Sequence, residues 1–261
     1  TFTAGLGRLH AKELYAHEIT TLTGFAKRTT ALDESPTHGT AETYDKLHRQ
    51  ARIQLEGRRT DAPCHELLPI TQGLGLTRLP HPSAGDMFFD IEGDPYVHGG
   101  GLEYLLGVAF RENGEELVYR EWRGLDRANE KHAFESFVDF VMNRLEAHPD
   151  LHVYHYNHYE PTALKHLMTR HATREDEVDK LLRGGLLVDL YAIVKQSVRA
   201  SVERYSLKDL EPFFGYERNV DLREASLALR AVESALELGD EPDAGALERV
   251  RAHNRDDCAA T

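Results

Sequence analysis

Two acids stand two positions apart, Asp90 and Glu92, inside the apolar run MFFDIEG. Gly85 on one side and Gly93-Asp94-Pro95 on the other bound that run, so it reads as a buried strand. Residues two apart on a strand point the same way, which projects both carboxylates together. Such a pair on an apolar strand is costly without a compensating cation. A pair of divalent ions would compensate it, and magnesium prefers hard oxygen ligands of this kind. The alternative is a strand that ends at Asp90 and leaves both acids in water.

A second set lies near the C-terminus, in Arg251-Ala252-His253-Asn254-Arg255-Asp256-Asp257-Cys258. In a helix, His253 and Asp257 share a face. Val250 lies two turns before Asp257, placing that acid on the apolar side outlined by Leu247, Val250, Asn254 and Cys258. Asp256 is turned about 100° away and reads as solvent-facing. An acid on the buried stripe needs a partner: Asp90 and Glu92 with metal, or water at a helix end. A third set is HVYHYNHYEPTALKHL, a strand running into a helix. Glu160 precedes Pro161 there, so it reads equally as a functional acid or as an acid favoured by the helix dipole. His155 and His158 flank the same strand end and receive no role. Tyr154, Tyr156 and Tyr159 are either base-stacking residues or packing residues.

These side chains need a frame that brings distant segments together. LEYLLGVAF and ELVYREW follow the first strand, with turns at GGG (99–101) and ENGEE, so a meander of strands is expected. NEKHAFESFVDFVMNRLEAH spaces Phe134, Phe137, Val138, Val141, Met142 and Leu145 as a helix does. LHVYHY is a fourth strand, and Pro161 suits the first turn of the helix after it. DEVDKLLRG, VDLYAIVKQSV, SLKDLEPFFG and two segments around 222–238 and 243–260 complete the pattern as helices. The order fits a mixed sheet covered on both faces, an α/β fold. Residues 1–30 form a small helical segment, 31–85 a connecting region of polar helix and turns, and 86–261 the main domain.

The 261 residues are 41% hydrophobic and 29% charged, as in a globular protein, which excludes disordered and fibrous classes. No apolar run approaches the roughly 20 residues that span a bilayer, so no membrane partner is expected. The N-terminus has no basic segment followed by a long apolar core, unlike a signal peptide. Two cysteines, Cys64 and Cys258, are too few for a disulfide framework, and a cytoplasmic location is the simplest expectation. A net charge of −13 weighs against nucleic acid, whose binders are usually basic. An acid cluster loaded with divalent ions offsets that argument, because the ions carry the positive charge to the phosphate.

The three sets together resemble the DEDD 3′–5′ exonuclease superfamily, which has the RNase H-like fold. More narrowly, FFDIEGDP, GLEYLLGV, YHYNHYEPTALKHL, YSLKDLEPFFGY and HNRDDCAAT resemble the RNase H-like domain of predicted RecB-family nucleases over residues 75 to 261. The resemblance implies that Asp90, Glu92, Glu160 and Asp257 are the metal-binding acids of a two-ion site taking Mg2+ or Mn2+. Glu160 stands where the family has an Asp. His253 stands where the tyrosine-type enzymes place a tyrosine, whereas histidine-type enzymes keep one more residue before the last acid. His253 is then the candidate to orient or deprotonate the attacking water. Separately, GLGRLHAKEL resembles part of a helix-hairpin-helix, with Gly5 and Gly7 letting backbone amides approach a phosphate. That motif's missing first helix, and a chain ending just after the last acid, suggest a piece of a larger protein.

The expected function is hydrolysis of nucleic-acid phosphodiester bonds, from the 3′ end of single-stranded DNA or RNA. Further domains of the same protein, a RecB-like nuclease and a helicase, are the expected partners. The rivals are a non-catalytic nucleic-acid-binding or scaffold module and an RNase H-type endonuclease. A phosphatase of the aspartyl-phosphate type ranks low, because it needs Asp where this chain has Glu92.

Overall fold

The structure, a computed structural model, describes residues 3–112 and 116–261, apart from the His98 side chain. The chain divides into two compact units: residues 1–78 with 193–216, and residues 79–192 with 217–261.

The first unit opens with helices α1 (Arg8–Ala16), α2 (Leu22–Ala26) and α3 (Ala41–Thr60). Thr21 and Thr40 cap the second and third by accepting from backbone amides three residues on. Leu14, Leu22, Phe25, Tyr44, Leu47 and Ala51 make its core. Strand β1 (His65–Leu67) belongs here too and finds its partner much later in the chain.

The second unit is built on β2 (Met87–Asp94), β3 (Leu102–Arg111) and β4 (Leu117–Arg123), an antiparallel meander. The turn expected at ENGEE falls largely on 113–115, outside the described residues. Helix α4 (Arg127–Ala147), capped by Asp126, leads to β5 (Val153–His155), which pairs parallel to β2. Helices α5 (Tyr159–His171) and α6 (Glu175–Arg183) follow, then β6 (Leu187–Asp189), parallel to β5. The sheet order is β4-β3-β2-β5-β6.

Helix α7 (Leu190–Ser197) comes next, then β7 (Val198–Ala200), antiparallel to β1 in the first unit, and α8 (Leu207–Phe214). Within that unit, Gln50 Nε2 donates to the Ala200 carbonyl at 2.9 Å, and Gln50 Oε1 accepts from the Tyr205 hydroxyl at 3.0 Å. Two helices of the second unit close the chain: α9 (Leu222–Leu238) and α10 (Ala244–Ala260).

Both faces of the five-stranded sheet are covered. Met87, Phe89, Ile91, Leu106, Val108 and Phe110 face α4, α5 and α6, while Leu102, Tyr104 and Leu105 meet α9 and α10. The segment VDLYAIVKQSV, expected to be wholly helical, instead opens as strand β6. Its three residues are too few to show a period, and tertiary pairing with β5 decides their state.

A bulge sits at the end of β2. Glu92 pairs with Leu105 and Gly93 with Glu103, so Tyr104 is the extra residue on β3. Gly107, in the middle of β3, marks the closest approach of α10, for its missing Cβ leaves the space that the Asn254 side chain fills. Replacing Gly107 with Ala drives a methyl into Asn254 Oδ1. We expect a loss of about 1–3 kcal/mol, measured as a lowered urea midpoint against the native chain.

Candidate metal-binding acidic centre

Along β2 the burial alternates: Phe89 and Ile91 point into the α4–α6 core, whereas Asp90 and Glu92 point to the α10 side. Helix α10 crosses β2 and β3 with His253, Asn254 and Cys258 buried. Asn254 joins the layers: its Nδ2 donates to Asp90 Oδ2 at 2.7 Å, and its Oδ1 accepts from the Tyr119 hydroxyl at 2.8 Å. Cys258 Sγ donates to the Gly107 carbonyl at 3.2 Å.

This docking sets Glu92, His253 and Asp257 in one group. Their candidate ligand atoms all lie within 4.8 Å of one another, the one group of this kind among the described residues. His253 Nε2 lies 3.6 Å from Asp257 Oδ2. Asp90 stands outside that group, held by Asn254, yet shares its electrostatic surroundings. The Cys258 thiol is pushed well above its usual range by burial first, and then by the fields of Asp90, Asp257 and Glu92. Two carboxylates and an imidazole at this separation fit a divalent ion; the oxygens suit magnesium or manganese, and the nitrogen shifts the set toward transition metals.

Glu160 is buried at the N-terminus of α5, with Oε2 3.5 Å from His155 Nδ1. Neither of those two atoms has a well-formed hydrogen bond. Glu160 thus lies outside the group of three. It remains within electrostatic reach of the same corner: burial, then Glu103, then Glu92 and Glu160, raise the pKa of the Tyr159 hydroxyl. That hydroxyl donates to Glu103 Oε2 at 2.8 Å while the residue stays 44% exposed, so its ring is held and still open to solvent. Glu103 is pushed above the usual carboxylate range, chiefly by burial. Tyr156 packs edge-on against Tyr191, with ring centroids 5.7 Å apart. Gly5 takes a left-handed φ of +81° and Gly7 is the N-cap of α1, both in the first unit and no part of this centre.

The expectation that Asp256 faces solvent is wrong. It is fully buried and accepts from Asn219 N at 2.8 Å, Asn219 Nδ2 at 2.7 Å and Val220 N at 3.1 Å. The helical wheel puts it off the sheet-facing stripe, but the loop before α9 covers that side. The same loop brings Arg218, which donates to Asp257 and lies 3.3 Å from His253 Nδ1. No spacing rule in the sequence links Arg218 to Asp257, so it could not be found there. Asn254 had a signal: a polar residue on a buried stripe, opposite a glycine within an apolar strand.

A mixed sheet covered on both faces, with acids gathered beside the bulged end of its central strand, defines an RNase H-like domain. Residues 87–261 match the family model RNase_H_2 of the RNase H superfamily. The chain belongs to that superfamily, whose members are generally nucleases and typically use divalent metals. No curated protein and no solved structure matches significantly. No helix among the described residues is long and apolar enough to cross a membrane.

Asp256→Ala leaves three donors without their acceptor. We expect a loss of about 3 kcal/mol, seen as a lower melting temperature; an unchanged melt would show that the loop carrying Arg218 is held by other contacts.

Proposed function

We propose that this domain is a metal-dependent nuclease acting as a 3′–5′ exonuclease on single-stranded nucleic acid, by a two-metal-ion mechanism. The observation that carries the reading is the convergence of Glu92, His253 and Asp257 beside Asp90, in a chain of the RNase H superfamily. When bound, divalent ions would supply the positive charge that draws in the phosphodiester and makes a water nucleophilic near neutral pH. Glu92 and Asp257 would hold one ion from opposite elements, β2 and α10. Asp90, oriented by Asn254, would present its other oxygen to the shared space. Glu160 would support the second ion from the end of α5, and His253 would orient the attacking water or take its proton.

The open ring of Tyr159, held by Glu103, is a surface on which a terminal base can stack. Tyr156, packed on Tyr191, would contribute less. Gly5 and Gly7 would offer backbone amides to a phosphate in the first unit. A RecB-like nuclease domain and a helicase remain the proposed companions.

One observation favours a non-catalytic module instead: Glu160 pairs with His155 outside the group of three. The test is degradation of a 5′-labelled single-stranded oligonucleotide with Mn2+ or Mg2+, beside the Asp90→Ala/Asp257→Ala double variant. A metal-dependent ladder lost by at least about 100-fold in that variant is expected, since the charges acting on the transition state are removed. Cleavage that persists in the variant overturns the assignment. Manganese binding without any cleavage favours the non-catalytic module, and equal cleavage of a 3′-blocked strand favours an endonuclease.

A further inference from the structure

Arg218 stands where the proposed chemistry needs a cation, and the fold has placed it there deliberately in physical terms. Its side chain is only 7% exposed and donates to Asp257, a proposed metal ligand. The backbone that carries it is pinned on the C-terminal side. Asp256 accepts from the amides of Asn219 and Val220, and Asp221 caps α9 by accepting from the amides of Arg223 and Glu224. The residues after Arg218 are therefore anchored, and any rearrangement falls to its flexible side chain.

The same guanidinium lies 3.3 Å from His253 Nδ1, so it stands against both the acid and the imidazole of the centre. With Arg218 in this position, its positive charge offsets that of Asp257 in the absence of an ion. A divalent ion between Glu92, His253 and Asp257 would repel the guanidinium from the same carboxylate. The displaced cation keeps its anchored backbone beside the centre, and the anion that arrives there with substrate is a phosphodiester. Guanidinium binds phosphate oxygens through two parallel hydrogen bonds, as it binds a carboxylate.

We propose that Arg218 is a substrate-binding residue of this centre, which exchanges Asp257 for a phosphodiester oxygen of the nucleic acid when a divalent ion binds. This rests on the metal-dependent nuclease reading above and adds the residue that couples metal binding to substrate binding.

The experiment measures two affinities on the native chain and on Arg218→Gln. The first is for Mn2+, from the signal of the free ion in electron paramagnetic resonance. The second is for a phosphorothioate-linked single-stranded oligothymidylate in the presence of manganese. The exchange predicts that Arg218→Gln binds manganese about fivefold or more tighter, because the competing cation is gone. It also predicts oligonucleotide binding about tenfold weaker, through the lost phosphate contact. Manganese affinity unchanged or weakened in a variant with a native melting curve overturns the proposal, and makes Arg218 a support for Asp257 alone. A native chain that binds no manganese overturns the metal reading itself and this exchange with it. Should Arg218→Gln not fold, the native chain still decides. The 15Nε resonance of Arg218, assigned by its loss in Arg218→Lys, must shift when Mg2+ saturates the site. A resonance that stays in place means that the guanidinium has not moved, which overturns the exchange.

Discussion

Asn254 lies in the space that a side chain at Gly107 would occupy, and the acidic centre depends on that contact. Because the strand offers no Cβ, α10 comes close enough for Asn254 to reach Asp90 across the layer and for Cys258 to reach the Gly107 carbonyl. The helix is thereby set in depth and rotation against β2 and β3. One turn on from Asn254, Asp257 is delivered to the side of Glu92, and His253 comes with it. A core layer that must be tightly packed to be stable thus positions the polar groups as well. Elements 164 residues apart in sequence share one centre because the Asn254 amide donates to the part-buried carboxylate of Asp90.

Buried charge is handled in two ways in this unit. Glu130 is fully buried and accepts from Arg127, Arg170 and the Glu103 amide, with His171 Nε2 2.8 Å away; Asp256 accepts from three groups of one loop. Those acids are surrounded by fixed donors and tie segments together. Around Asp90, Glu92 and Asp257 the arrangement differs: several carboxylates share one region, and the compensating side chains come from a loop and a helix face. Burying unpaired charge costs more than a domain's net stability allows, so a group of acids persists only if a cation is near. In this structure Arg218 meets that need at Asp257, and the proposed divalent ions would meet it for the whole group.

The bulge at the end of β2 sorts the neighbouring acids. By turning Tyr104 toward α9 and α10, it leaves Glu103 on the α5 side, where it takes the hydroxyl of Tyr159. A Cβ at Gly93 would overlap the Glu103 carboxylate where it meets Tyr159, so glycine there leaves that contact undisturbed. The first turn of α5, which carries Glu160, is thus tied to β3, the neighbour of the strand that carries Glu92. Local irregularity in a strand re-aims side chains at the place where a site is assembled.

Much of the frame was legible in the sequence, because period and turn residues act locally. The alternation in MFFDIEG, the helical spacing from Phe134 to Leu145 and the shared face of His253 and Asp257 all describe neighbours along one element, and each appears in the structure. The short strands β1, β6 and β7 were not legible, since three residues carry no period and only a partner makes them strands. Asp256 was misread for a related reason: a helical wheel knows its own helix but not the loop that covers it. Whether an acid is paired, buried or shared is decided by what packs against it from elsewhere in the chain. The sequence by itself determined which residues could form an acidic centre on an α/β frame. Only the tertiary structure decided that Glu92, His253 and Asp257 meet, that Asn254 holds Asp90, that Glu160 turns to His155 and that Arg218 enters from a distant loop, because these contacts depend on the close approach of elements that no local rule relates.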